Sequence, residues 1–429
     1  MLNDGKSQRV AIIGGSRIPF ARAHTAYKNH TNQEMMTNTL IGLVEKFNLH
    51  EKILGDVALG AVIKHSKDWN LSRESVIGSG LSLKTPGVDM QRACGTSLEG
   101  IIHIANKIAL GQIQSGIAGG CDSISDAPIV LQDKFRKVLL SMYRGRSLKE
   151  KIGSLIKIRP SYFIPQLPSV VEPQTNLSMG ESMELTAKKF NISRIEQDNF
   201  AYDSHKKAEA AYKQGFYDDL VTSFGGLSKD NNIRNKEKLQ KLDSLTPAFD
   251  KKSNQGTLTA GNSTPLTDGA AAVLLASEEW AKEMQLPIQA YITFCKVAAV
   301  DFINQDGLLM APVYAVSNML NEAKLELQSF DFYEIHEAFA AQALATLKAW
   351  EDPTFCKERL GRNKPMGKIE KSKLNMMGGS IAIGHPFAAT GARVVSTMSK
   401  LLTTKSKSKG LISVCTAGGM GITMIIEAP

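Results

Sequence analysis

Two stretches of this chain follow one plan, and a sequence that carries the same unit twice has few ways to fold. Residues 90–125 run from a strand end into a Gly-rich turn holding Cys94, then an apolar helix, then the small-residue strand Ser115-Gly116-Ile117-Ala118-Gly119-Gly120-Cys121. Residues 375–428 repeat the order: Gly378-Gly379, a turn holding His385, a helix over about 388–402, the run Leu411-Ile412-Ser413-Val414-Cys415-Thr416, and after Gly418-Gly419 a final strand. Small-residue strands of this kind are buried on both faces. Two such units packed face to face set the Cys94 turn and the His385 turn at one seam, where a cleft is expected.

The remaining stretches fill out an α/β body. A short strand over 10–14 leads to Gly14-Gly15-Ser16-Arg17-Ile18-Pro19. A dinucleotide-binding loop is disfavoured there, because Gly-x-Gly-x-x-Gly is absent and Pro19 stands where the helix would run. Periodicity predicts a helix over 32–47, a strand over 57–62 and a helix over 72–80 with a Ser N-cap. From about 126 the texture changes. Nine basic residues (Lys134, Arg136, Lys137, Arg144, Arg146, Lys149, Lys151, Lys157, Arg159) face one acid, Glu150, with apolar residues interleaved. Such a segment is either a solvated helical face or a surface that attracts ligand phosphates or an anionic membrane. An irregular Pro-rich crossing over 160–173 follows, then helices over 178–190 and 193–212, the second opening with Ser193 and Glu196 at capping-box spacing. The span 126–250 reads as an insertion, and the body resumes at 256–273 with small polar residues that let a ligand come close to the backbone.

With 429 residues, 43% hydrophobic and 22% charged, the chain should form a large globular body of two or three domains. No apolar run reaches membrane-span length, and residues 1–8 have neither a signal peptide's apolar core nor an Arg-rich presequence, so a cytoplasmic location is expected. Five Cys without a Cys-x-x-Cys pair argue for reduced thiols, against a disulfide framework and against a zinc site. A net charge of +9 suits an anionic ligand better than nucleic acid.

Four residues could carry chemistry. Cys94 at the start of a helix is either a thiolate stabilised by free backbone N–H groups and the helix dipole, or a small buried hydrophobe. His336-Glu337-Ala338-Phe339-Ala340 follows an apolar strand over 332–335 and does not complete a zinc-binding His-Glu-x-x-His. Gly384-His385-Pro386 and Val414-Cys415-Thr416-Ala417-Gly418-Gly419 supply the others. Each taken alone fits a structural role.

Taken together they resemble the thiolase family over nearly the whole chain: residues 14–22, the Cys94 turn, Met179-Gly180, residues 259–273 and all three C-terminal motifs. His336, where most thiolases carry Asn, and the run 379–393 are similar to one branch, the β-subunits of the bacterial fatty-acid oxidation complex and of mitochondrial trifunctional protein. The resemblance implies an α/β fold of two similar halves in a five-layer α-β-α-β-α arrangement. The N-terminal half would cover 1–279 with an α-rich loop domain inserted at about 126–250, and the C-terminal half 280–429.

It further implies thiolysis of 3-ketoacyl-CoA by CoA, with Cys94 as nucleophile, His385 as its base and Cys415 as the second acid/base. A thiol serves that second role when its pKa lies near the working pH. His385 and His336 would hold the acetyl-CoA enolate oxygen, and the backbone N–H groups of Cys94 and Ala417 the thioester oxyanion. Met179, Thr264, Ala338 and Phe339 would wall a pantetheine tunnel, and the insertion would supply the CoA surface. CoA thioesters are then substrates, with no metal or other cofactor. A homodimer is expected, and from the closer branch an α2β2 assembly with a hydratase/dehydrogenase subunit and peripheral membrane contact through residues 134–159. Three other readings compete: a short-chain acetyl-CoA acetyltransferase, a decarboxylating ketoacyl synthase with a Cys-His-His site, and an inactive scaffold. Cys415 speaks against the synthase, which moves no α-carbon proton, and the full set of reactive groups against the scaffold.

Overall fold

The computed structural model describes residues 7–156, 158–166 and 171–429. Lys157, part of the crossing over 160–173, and most of the N-terminal stretch 1–8 lie outside the described residues. Ten strands form one mixed sheet: β1 (Val10–Arg17), β2 (Ala21–Arg22), β3 (Asp56–Leu59), β4 (Val88–Asp89), β5 (Ser115–Asp122), β6 (Thr267–Ser277), β7 (Ala290–Ala299), β8 (Phe332–Ile335), β9 (Lys409–Thr416) and β10 (Met420–Glu427). Their order is β4-β3-β5-β6-β1-β7-β10-β9-β8, with β2 paired to β6 off this path.

The repeat is visible in the pairing. In the first half β3 runs parallel to β5, β6 antiparallel to β5, and β1 antiparallel to β6. In the second half β8 runs parallel to β9, β10 antiparallel to β9, and β7 antiparallel to β10. Strand β4, which precedes the Cys94 turn and pairs parallel with β3, has as counterpart a parallel bridge between Tyr333 and Leu374, just before Gly378. The halves also join edge to edge, because β1 pairs with β7 through Val10–Ile292, Ala11–Tyr291 and Ile12–Ala290. Local sequence gives no sign of this junction.

Alternation along the strands sorts side chains into layers. In β6, Ala271, Val273 and Leu275 face a central apolar cluster, while Ala270, Ala272, Leu274 and Ala276 face an outer one. In β9, Ile412 and Val414 face the centre, and Leu411 and Cys415 the opposite outer cluster. The centre is filled by helices Thr96–Ala109 (Leu98, Ile101, Ile104, Ala105, Ile108) and Thr390–Leu402 (Ala392, Val394, Val395, Met398, Leu401). Helix Asn32–Lys46 covers the first half's outer face, and helices Ala311–Ala323 and Ala340–Glu351 the second's. This is the expected five-layer arrangement, with the two chemically marked helices in its middle layer.

Three local expectations shift. The first strand continues past Gly14-Gly15 to Arg17, since Gly14 (φ +150°) sits at a bulge against β6 instead of opening a loop. The strand expected over 57–62 ends at Leu59. The helix Leu71–Gly78 is capped by Asn70, whose Oδ1 accepts from Arg73 N–H at 2.9 Å. Ser72 is not the cap, because its hydroxyl is drawn to Val88 O at 2.7 Å across to β4.

Between β5 and β6 no strand of the sheet occurs among the described residues. Helices Asp133–Arg144 and Leu148–Leu155 carry six of the nine basic residues, and backbone hydrogen bonds between Val130 and Gln166 (3.2 and 2.8 Å) close the base of that hairpin. Helices Met179–Lys189 and Arg194–Lys213 both open with a capping box, at Ser178/Glu181 and Ser193/Glu196. The span returns to the body through a buried bidentate ion pair, Arg17 to Asp230 at 2.6 and 2.8 Å. No helix among the described residues is long and apolar enough to cross a membrane.

Candidate active site

Cys94 follows a strained residue. Ala93 has φ +44°, a left-handed conformation that disfavours a side chain by about 1–2 kcal/mol, and Thr96 locks the turn. The Thr96 hydroxyl donates to Ala93 O at 2.7 Å and accepts from Arg92 N–H at 2.9 Å. Gly95 then caps the helix without a side-chain bond, which leaves the first-turn N–H groups beside the thiol.

The His385 turn meets this helix end to end. Ser97 Oγ accepts from Ala392 N–H at 2.8 Å, and a Cβ added at Gly391 would lie 2.5 Å from Leu98 N, so the two helix N-termini approach as only Gly permits. Asp122, at the end of β5, accepts from Val62 and Ile63 N–H (2.9 and 2.7 Å) with one oxygen and from Ala388 N–H (2.8 Å) with the other. It therefore ties the first half to the loop that carries His385. The His385 ring lies 4.2 Å, centroid to centroid, from the His336 ring. Its Nδ1 pairs with Thr390 Oγ1 at 2.5 Å, and His336 Nδ1 with Ser380 Oγ at 2.9 Å. Cys415 lies near the end of β9, and Ala417, in the β9–β10 turn two residues on, brings its N–H to the Cys94 thiol.

Burial sets the charge states. It pushes the Cys94 thiol up to about 12, although hydrogen bonds from the Ala417 and Cys94 backbone N–H groups favour the thiolate. Burial, with the Cys94 charge nearby, raises Cys415 well above its ordinary value. Desolvation and the Arg393 cation hold His385 down to about 3; desolvation, His385 and Arg393 hold His336 well below its usual range. Desolvation thus opposes the stabilisation of a Cys94 thiolate by the helix dipole and the backbone N–H groups, and it favours the neutral forms of Cys415, His385 and His336 as well.

The four residues expected to wall a pantetheine tunnel come together. Met179 opens its helix, and with Ala338, Phe339 and Phe249 it belongs to the second half's outer cluster. Phe249 and Phe339 meet edge to face at 5.8 Å. Thr264 N–H donates to Ala338 O at 3.1 Å, and Ser263 bridges to Phe339.

Sequence reading assigned no role to the groups behind the histidines. Ser380 touches His336 and Arg393; Arg393, 1% exposed, lies 3.5 Å from buried Glu334. Glu337 accepts from Asn375 Nδ2 (2.6 Å) and the Ser204 hydroxyl (2.7 Å), pinning the 375–381 loop against the end of β8, just before His336. An Arg on the buried face of an apolar helix was the available signal for Arg393. Among the described residues, no group of three or more His, Cys, Asp or Glu side chains is placed to hold a metal ion.

Family models agree with the geometry: "Thiolase, N-terminal domain" matches residues 10–279 and "Thiolase, C-terminal domain" residues 286–428. The chain belongs to the thiolase family. It is 38% identical to the 3-ketoacyl-CoA thiolase of Shewanella sp. (strain W3-18-1), over 99% of this chain and 98% of that protein. It is also 38% identical to the 3-ketoacyl-CoA thiolase of Pectobacterium carotovorum subsp. carotovorum (strain PC1), over 98% and 97%. Among solved structures it is similar to the Ascaris suum Acat5 thiolase in complex with coenzyme A (TM-score 0.81, 26% identity, 98% of this chain and 100% of that one). The Bacillus anthracis acetyl-CoA acetyltransferase is similar too (TM-score 0.80, 29% identity, 99% and 100%).

Proposed function

We propose that this thiolase cleaves 3-ketoacyl-CoA with CoA, giving acetyl-CoA and a shortened acyl-CoA, in the degradative direction. The observation that carries the reading is the Cys94 turn: a thiol at a helix N-terminus, within reach of backbone donors from Cys94 and Ala417, beside the loop that holds His385. Neutral His385 takes the Cys94 proton as the sulfur attacks the 3-keto carbon. The C2–C3 bond breaks, and its electron pair forms the acetyl-CoA enolate, whose oxygen His336 and His385 hold by N–H donation. Cys415 gives its proton to C2. CoA then surrenders its thiol proton to Cys415, attacks the thioester on Cys94, and the departing Cys94 sulfur recovers its proton from His385. The thioester oxyanion rests on the Cys94 and Ala417 N–H groups. Resting neutrality suits this cycle, because every proton moves between partners within the site and none comes from solvent. Met179, Thr264, Ala338 and Phe339 wall the pantetheine path, and the insertion supplies the CoA surface.

The 38% identity to proteins named 3-ketoacyl-CoA thiolase, against 29% to an acetyl-CoA acetyltransferase, supports the 3-ketoacyl reading over a short-chain acetyltransferase. We take the halves as 1–279, with the insertion at 126–250, and 280–429. The protein works in the cytoplasm as a homodimer that enters an α2β2 assembly with a hydratase/dehydrogenase subunit. The basic hairpin supports peripheral contact with an anionic membrane: Tyr143 (85%), Leu148 (75%) and Ile156 (79%) stand exposed among its Lys and Arg residues.

Acyl-enzyme trapping tests the chemistry. With 3-ketoacyl-CoA and no free CoA, acid quench and peptide mass spectrometry should find the shortened acyl group on Cys94 and on no other Cys. Acylation elsewhere, or none, would refute the assignment.

A further inference from the structure

His336 is a useful enolate donor only if the right ring nitrogen carries its proton, and the residues behind it decide which one does. Its Nδ1 lies 2.9 Å from Ser380 Oγ, and Ser380 Oγ lies 2.8 Å from Arg393 Nη2. A guanidinium only donates, so the Arg393 N–H occupies a lone pair of the hydroxyl. The single Ser380 proton then needs an acceptor, and among the described residues the one within hydrogen-bond distance is His336 Nδ1. With Nδ1 accepting, the ring proton sits on Nε2. That atom is buried and has no partner among the described residues, beside the His385 ring.

We propose that Ser380 and Arg393 are positioning residues that hold His336 as the Nε2–H tautomer, so that a neutral N–H donor meets the enolate oxygen. Arg393 also places a positive charge behind the ring, which opposes imidazolium formation. The guanidinium is kept at an expense that packing alone does not explain. Its Nε and Nη1 find no hydrogen-bond partner among the described residues, and Glu334, 3.5 Å from Nη1, makes no hydrogen bond to it and is itself pushed up to about 8 by burial. On the first half the Cys94 thiol needs none of this, so the relay should act on carbon–carbon chemistry and spare acyl transfer.

The inference rests on the thiolase reading of His336, and the test separates the two. Two partial reactions are measured: solvent deuterium exchange into the acetyl-CoA methyl group, which requires the enolate, and exchange of labelled CoA with acyl-CoA through Cys94, which does not. Ser380→Ala should lower deuterium exchange and thiolysis kcat roughly 10-fold or more while CoA exchange stays within about twofold. In a His336→Asn background, whose amide donates whatever Ser380 does, adding Ser380→Ala should change neither rate. Arg393→Met, which removes the N–H donor to Ser380 Oγ and keeps an unbranched stem, should reproduce the selective loss, and it serves if Ser380→Ala does not accumulate folded. Equal loss of both partial reactions, or the same loss in the His336→Asn background, would overturn the relay. Full deuterium exchange by His336→Ala would instead overturn the role of His336 itself.

Discussion

At the residue scale, the site stores its reactivity as neutral pairs. With the Cys94 thiol pushed up to about 12 and the His385 imidazole held down to about 3, the proton stays on sulfur, so ionised Cys94 becomes abundant only in alkali. Alkylation of Cys94 by iodoacetamide, followed by mass spectrometry of its peptide, should therefore accelerate about tenfold per pH unit from 7 to 10 with no plateau. A plateau near pH 6–7 would show a resting thiolate–imidazolium pair. Cys94 and His385 were legible as chemistry because each sits in a small-residue turn, and Cys415 because it lies near the end of a strand, just before the Ala417-Gly418-Gly419 turn. Their charge states were not, because desolvation depends on layers contributed by stretches as distant in sequence as residues 94 and 417. Ser380 and Arg393 escaped notice for a related reason: their meaning lies in a hydrogen-bond direction that only the folded geometry reveals.

At the element scale, the site depends on two helices meeting head to head in the middle layer. Ser97 and Ala392 make the joint, and Gly391 allows its closeness. Gly391→Ala should force the helices apart by a few tenths of an ångström or more. We expect about 1–3 kcal/mol of lost stability from overpacking, read as a lower melting temperature, and at least a tenfold loss of thiolysis from displaced groups. Unchanged melting and turnover would mean that the joint is slack. The repeat made both helices readable in the sequence, since each follows a Gly-rich turn and precedes a small-residue strand. The β1–β7 junction was unreadable, because three pairs of ordinary strand residues carry no mark of their partner. The cap at Asn70 was displaced by one residue pair for the same reason: Ser72 is a good cap locally, and β4 claims its hydroxyl.

At the scale of the whole molecule, a doubled α/β body carries an inserted surface module. The hairpin is closed at its base by the Val130–Gln166 hydrogen bonds, so it can be excised without cutting the sheet. Replacing residues 131–165 by a short Gly-Ser linker should leave melting near wild type and abolish sedimentation with anionic liposomes. Retained liposome binding would assign membrane contact to another surface. The central claim is the reaction itself. Its most direct test is CoA-dependent loss of 3-ketoacyl-CoA absorbance, from acetoacetyl-CoA through a C10 to C16 series, with wild type and Cys94→Ala side by side. Turnover that rises with chain length and vanishes in Cys94→Ala is the predicted result; absence of thiolysis, with malonyl-thioester decarboxylation in its place, would contradict it.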